Sequence, residues 1–278
     1  MTRAAIKIAT IQMVSTTDVK SNVETMQTLV RKAAQAGAKW ALLPEYWPLM
    51  ATDEKDKLAI AETFGQGPLQ QLLSDLAKEL QIVLFAGSIP LRGNEENKVL
   101  NTLLVYGEQG ELLSRYDKIH LFSYSGISES GVGEKYCEAD SIQAGYQVPS
   151  LQIGEVNVGQ GICYDLRFPE LFRAQTPYDV LVLPAAFTYT TGKAHWELLL
   201  RARAVENQCY VIASAQGGRH QSGRTTFGHS MIIDPWGEIV SGVGEGEGFA
   251  VGEIDFARLA EVRRQLPALS HRQLFIRT

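Results

Sequence analysis

Two hydrophobic periods alternate along this chain, and their order predicts the elements. Residues 6–13 read as a strand, after which Val23, Met26, Leu29, Val30 and Ala33 recur at helical spacing within 19–35 and the run stops at Gly37. A strand over 40–43 follows. The next helix is predicted to open at Pro68, directly after Gly67, with Leu69, Leu72, Leu73, Leu76 and Leu80 on its apolar face. Strands are expected at 82–86, 101–106 and 111–122. The second half repeats the alternation, with a strand over 156–162, a helix from Phe168, a strand over 179–183, a helix over 194–206, a strand over 209–215 and a hairpin turning at Asp234-Pro235-Trp236-Gly237. The element order is duplicated although the residues are not. Two such halves place sheet against sheet with helices outside, so the pattern predicts an α/β protein, a four-layer α-β-β-α sandwich. No linker composition interrupts it, and one domain over 1–278 is expected.

The most reactive candidate lies where one predicted strand turns into a helix. The run Val156-Asn157-Val158-Gly159-Gln160-Gly161-Ile162 leads straight into Cys163-Tyr164-Asp165-Leu166-Arg167-Phe168-Pro169-Glu170. A thiol held at such an elbow is presented to a substrate carbonyl, and the adjacent N–H of Tyr164 points to where negative charge develops during attack. Most free cysteines are inert core residues, so the weight falls on what accompanies this one. Leu42-Leu43-Pro44-Glu45 ends an apolar strand in a carboxylate, and Tyr116-Asp117-Lys118-Ile119-His120-Leu121-Phe122 sets an ammonium in an alternating strand.

Taken together and in this order, these three segments resemble the nitrilase, or carbon–nitrogen hydrolase, superfamily over nearly the whole chain. The resemblance implies a Glu–Lys–Cys triad of Glu45, Lys118 and Cys163 and the α-β-β-α sandwich. In that scheme Cys163 attacks an amide, Glu45 shuttles the proton, and Lys118 with the Tyr164 N–H holds the oxyanion. Lys118 is also expected to make the thiol ionise more readily. A second glutamate that positions the lysine is implied within Lys135-Tyr136-Cys137-Glu138, where Glu138 fits; Glu129 or Glu134 takes that place if the loop is threaded differently. The Gly/Ser-rich stretch 123–134 is longer than the pattern leads one to expect, and Ser123 stands where relatives commonly carry Asp. It reads either as a surface excursion or as a lid on the site.

For the substrate, the runs Ala215-Gln216-Gly217-Gly218-Arg219-His220, 227–237 and 194–204 most resemble the branch that hydrolyses deaminated glutathione to 2-oxoglutarate and Cys-Gly. ω-Amidase action on 2-oxoglutaramate, or on another small amide or carbamoyl compound, is the alternative, and a catalytically silent binding scaffold is the reading from outside enzymology. Both amide substrates end in an α-keto acid carboxylate, which calls for a guanidinium. Arg167 is the candidate clamp, with Asp165 as the competing ion-pair partner. Tyr164 and Phe187 are further candidates for substrate contact, and Arg219 or Arg224 for the longer leaving group.

Composition adds mainly exclusions. With 278 residues and 45% hydrophobic content the chain can bury a large core. A net charge of −5 without a basic, aromatic-laced stripe gives no nucleic-acid surface. The longest apolar run, 180–187, is broken by Pro184, and 1–8 has no sustained apolar region, so no membrane partner is expected. Three cysteines without zinc spacing point to a cytoplasmic protein lacking a disulfide framework. His195, His220 and His229 lack the spacing of a metal site, and 242–248 lacks the spacing of a nucleotide loop, so no metal and no cofactor are expected. Cys209 reads as core. Trp196, Glu197 and Arg201 share one helix, either as a solvated stripe or as a subunit contact, and the resemblance implies a homodimer.

Overall fold

The computed structural model describes residues 3–127, 133–148 and 150–274. The first half supplies β1 (Ile6–Gln12), α1 (Val19–Gln35), β2 (Trp40–Leu42), a one-turn α2 (Asp56–Ala59), α3 (Pro68–Leu80), β3 (Val83–Phe85), β4 (Ile89–Arg92), β5 (Val99–Tyr106) and β6 (Leu112–Asp117). A hairpin of β7 (Ser123–Ile127) and β8 (Gly133–Cys137) follows. The second half carries β9 (Leu151–Ile153), β10 (Val156–Gln160), α4 (Pro169–Gln175), β11 (Val180–Ala185), α5 (Tyr189–Asn207) and β12 (Tyr210–Ala215). It closes with the short pair β13 (Gly217–Arg219) and β14 (Thr225–Phe227), then β15 (Met231–Ile233), β16 (Ile239–Gly242), β17 (Gly248–Ile254) and α6 (Phe256–Gln265).

Among the described residues, two large sheets stack. One runs β17-β1-β2-β3-β5-β4 with β6 paired to β5, the other β16-β15-β12-β11-β10-β9. The period of two sorts residues between faces: Ile8, Trp40, Leu42, Val83 and Phe85 join the core shared with the second sheet, while Ala9, Ile11, Ala41, Leu43 and Leu84 pack with Met26, Val30, Leu69, Leu73 and Leu76 of α1 and α3. Strands apolar on both faces are what a sheet covered on both sides needs. On the far side, Leu171 and Phe172 of α4 and Trp196, Leu200 and Ala204 of α5 complete the fourth layer. The sheets are also tied by side chains, since Thr10 Oγ1 donates to the Ala213 carbonyl at 2.6 Å and Ser214 Oγ to that of Leu42 at 3.0 Å. No helix among the described residues is long and apolar enough to cross a membrane.

Helix ends follow their local chemistry. Asp18 caps α1 by accepting from the Ser21 N–H at 3.0 Å, and α3 begins at Pro68, where a missing N–H costs nothing. Four expectations change. The strand predicted to reach Phe122 ends at Asp117: the Lys118 N–H still donates to the Asn101 carbonyl of β5 at 2.9 Å, but the Lys118 carbonyl accepts from the Gly145 N–H. The stretch beyond Phe122 is a hairpin rather than a plain loop. Strand β17 and helix α6 lie beyond the predicted elements, and β17 pairs antiparallel with β1 along its full length, so the duplication of halves is incomplete. Trp196 belongs to the core rather than to a surface stripe, being 1% exposed with its Nε1–H donated to the His229 carbonyl at 2.8 Å.

Candidate active site

Glu45 lies just past the C-terminal end of β2, at a buried turn. Tyr46 beside it takes a φ of 54°, and Gly87 comes so close to the Pro44 carbonyl that a Cβ there would sit 2.1 Å from the oxygen. Ser88 completes the brace: its N–H donates to the Pro44 carbonyl at 3.3 Å and its Oγ accepts from the Tyr46 N–H at 3.0 Å. The carboxylate thus aimed accepts from Asn101 Nδ2 at 2.9 Å and from Lys118 Nζ at 2.8 Å, both through Oε1.

Lys118 is 1% exposed, and its ammonium also meets the Glu138 carboxylate at 2.8–2.9 Å. Glu138 is itself held at both oxygens, by the Tyr46 hydroxyl at 2.8 Å and by the Phe122 N–H at 2.7 Å. Glu138 reaches the lysine; Glu129 lies outside the described residues, and the backbone of Glu134 pairs within β8 opposite Gly126. Burial alone pushes the Lys118 ammonium down, but Glu138 and Glu45 more than offset it, and its pKa stands well above the ordinary lysine value. Burial works against the Glu138 carboxylate too, yet the adjacent Lys118 holds it below the usual range.

Cys163 opens a 3-10 turn, Cys163–Arg167, immediately after β10. Its φ of 49° is a left-handed conformation unfavourable to any residue with a Cβ, of the kind that persists where neighbours over-determine it. Asp165 supplies that determination. One of its oxygens accepts from the Tyr116 hydroxyl at 2.7 Å and the Ile162 N–H at 2.9 Å, the other from the His120 N–H at 3.0 Å and lies 2.7 Å from His120 Nδ1. Gly161 makes room for the Phe172 ring, which a Cβ would meet at 2.8 Å. Burial raises the Cys163 thiol, Glu45 raises it further, and Lys118 pulls it down without prevailing. The expected effect of the lysine is present in sign and outweighed by burial and by Glu45.

Two recesses meet at Cys163. The wider, about 460 Å³, is walled by Glu45, Tyr46, Glu138, Tyr136, Glu54 and Arg224, among others. The narrower is lined by Phe122, Tyr164, Arg167, Phe187, Thr188 and Thr191. Arg167 lies 5.4 Å from the Phe187 ring centre and 5.8 Å from that of Tyr164, and its Nη1 and Nη2 lie 3.4 and 3.3 Å from His195 Nδ1. Among the described residues it forms no ion pair, because Asp165, the partner weighed from sequence, is spent on the elbow. Arg219 is exposed on β13 and absent from both linings, whereas Arg224, five residues on, lines the wider one. The remaining histidines have structural partners: His220 bridges the Ser15 carbonyl at 2.8 Å and Thr226 Oγ1 at 2.7 Å, and His229 Nδ1 lies 2.8 Å from the Phe227 carbonyl. Sequence reasoning missed Asn101, Tyr46 and Asp165. Only Asp165, two residues past the cysteine, carried a local signal.

An α-β-β-α sandwich with a cysteine, a lysine and two carboxylates gathered at one end of its strands is the architecture of nitrilase-type hydrolases. The model of the carbon–nitrogen hydrolase family matches residues 7–264, and the chain belongs to that family. It is 40% identical over 269 residues to the deaminated glutathione amidase of Synechocystis sp. (strain PCC 6803 / GT-S), covering 95% of this chain and 97% of the relative. It is 36% identical over 277 residues to the omega-amidase NIT2 of Mus musculus, covering 97% and 96%. Among solved structures, Saccharomyces cerevisiae Nit3, a member of branch 10 of the nitrilase superfamily, superposes with a TM-score of 0.87 at 30% identity and 98% coverage of both chains.

Proposed function

We propose that this chain, acting as one carbon–nitrogen hydrolase domain, hydrolyses deaminated glutathione to 2-oxoglutarate and Cys-Gly. Glu45 takes the thiol proton as Cys163 Sγ attacks the amide carbon. The oxyanion that forms is held by the Lys118 ammonium and the Tyr164 N–H, one of the first donors of the 3-10 turn, which have no partner inside it. Collapse breaks the C–N bond, and Glu45 returns its proton to the departing amine. Water activated by Glu45 then attacks the thioester, releasing the acid and restoring the thiol. Glu138 keeps Lys118 aimed at the oxyanion.

The observation that carries the substrate reading is the position of Cys163 between recesses of unequal size. Arg167, which forms no ion pair among the described residues, lies at the narrow one, whose space of about 10 Å³ has to widen to seat a keto acid, while the wide one, about 460 Å³, has room for a dipeptide leaving group. ω-Amidase chemistry, with ammonia as leaving group, leaves the wide recess unused. The test is kcat/KM on both substrates: deaminated glutathione should exceed 2-oxoglutaramate by more than about tenfold, because contacts remote from the reacting bond lower the barrier only if the pocket makes them. Arg167→Met should lower kcat/KM for both by a similar factor, on the order of 10- to 100-fold for a lost charged hydrogen bond. A preference for 2-oxoglutaramate would reassign the chain to ω-amidase chemistry.

We also infer a homodimer through the outer face of α5. Leu198, Val205 and Trp236 are 66%, 48% and 50% exposed there and border one recess with the Glu197–Arg201 pair, an apolar patch of the kind that marks an interface. Leu198→Glu should yield monomers in sedimentation equilibrium; an unchanged mass would remove α5 from the contact. The three free thiols fit the reducing cytoplasm, where we place the protein.

A further inference from the structure

On the wall of the wide recess lies a group of charges that the reaction steps leave without a role. Glu54 is its hub. Its Oε1 accepts from Arg224 Nη1 at 3.0 Å, and its Oε2 is bonded by the Lys57 ammonium. Lys57 is almost wholly enclosed, with 3% of its side chain exposed and the ammonium 3.6 Å from the centre of the Tyr46 ring. Arg224, its side chain 18% exposed, lies 5.2 Å from the centre of the Tyr136 ring on β8.

Apart from Glu45 and Glu138, which Lys118 holds, the carboxylates of that lining (Asp53, Glu54 and Asp140) balance its cations (Lys55, Lys135 and Arg224), and Lys57, enclosed behind Glu54, adds one positive charge. The geometry says which cation is available. A carboxylate with both oxygens free closes on a guanidinium in a two-bond fork and consumes it. Lys57 occupies the second oxygen of Glu54, so Arg224 is held by a single N–H and keeps the rest of its five donors for the recess. The Tyr136 ring, its centre 5.2 Å from the guanidinium carbon, adds a cation–π contact that uses no donor.

We propose that Arg224, seated by Glu54 and Tyr136, is a subsite for a carboxylate at the end of the amine leaving group, so that the chain selects amides of peptides ending in a free carboxylate. This deepens the amidase reading above and rests on it for the direction in which the substrate lies. It gives the wide recess a chemical specificity as well as a size.

Calorimetric titration of the resting enzyme with cysteinylglycine and with its C-terminal amide tests the subsite without turnover. The free acid should bind at least tenfold more tightly. Arg224→Gln should bring the ratio to about one, Arg224→Lys should keep part of it, and Lys57→Met should reduce it by letting Glu54 close on the arginine. Because the ratio is taken within each variant, a general loss of folded protein cancels. Equal binding of acid and amide by the unaltered enzyme, or a ratio that survives Arg224→Gln, overturns the proposal. The parallel kcat/KM ratio for deaminated glutathione and its glycinamide analogue separates the two readings. Turnover without acid selectivity removes the subsite and leaves the amidase, whereas acid-selective binding without turnover of either compound removes the substrate and leaves the subsite.

Discussion

Cys163→Ala abolishes hydrolysis, with kcat falling by ~10⁴-fold or more as expected when a covalent nucleophile is lost, while the fold persists. The substitution deletes one sulfur that borders open recesses, so little packing is lost. Cys209→Ala is the contrasting control. That thiol is fully enclosed in the shared core, so its loss costs on the order of 1 kcal/mol in urea unfolding and leaves turnover intact. Amide hydrolysis by the Cys163 variant above a few percent of the parent rate would end the covalent mechanism.

Lys118→Arg is expected to fail nearly as badly as Lys118→Ala, by roughly 100- to 1000-fold in kcat, the usual cost of one oxyanion donor. The ammonium is wholly enclosed and sits at 2.8–2.9 Å from two carboxylates. A planar guanidinium offers a fork where the site has room for a point charge, and it reaches Glu45 and Glu138 only by displacing them. The alanine variant should carry a second cost that the arginine variant lacks. With no cation between them, the buried Glu45 carboxylate and the half-buried Glu138 carboxylate face each other, and removing the partner of a buried charge costs up to about 3–5 kcal/mol. Thermal unfolding and kcat measured on both variants separate charge from shape: full activity in the arginine variant would reduce Lys118 to a long-range charge.

The helices and the reactive side chains were legible to different degrees, for reasons that differ in range. Helices α1 and α3 follow from the spacing of their own apolar residues and from Asp18 and Pro68 at their starts, all within a few turns. Glu45, Lys118 and Cys163 were visible only as a pattern across three segments, since each alone is an ordinary residue. What brings Glu45 and Lys118 together is the register of β2, β3, β5 and β6, and the stretch before Cys163 gives no hint that Tyr116 and His120 close on Asp165. Strand β17 was hidden by its approach, because the glycines of 242–248 read as a turn and the strand itself is only half-buried outside Ala250 and Ile254. Arg219 and Arg224 were both candidates because position along the chain does not say which side of the β13–β14 pair faces the recess.

That strand also constrains how the protein is made. Ile6 pairs with Ile254 and Gln12 with Gly248, so the inner strand of the first sheet receives its second neighbour from almost the opposite end of the polypeptide. During synthesis the N-terminal segments emerge with one flank of β1 unsatisfied, a row of amide and carbonyl groups that another nascent chain can zip onto. Closure waits for translation to pass residue 254, and contacts so distant in sequence slow the final condensation. A chain cut before β17 therefore presents a permanently open, apolar border and is headed for aggregation rather than for a smaller working enzyme.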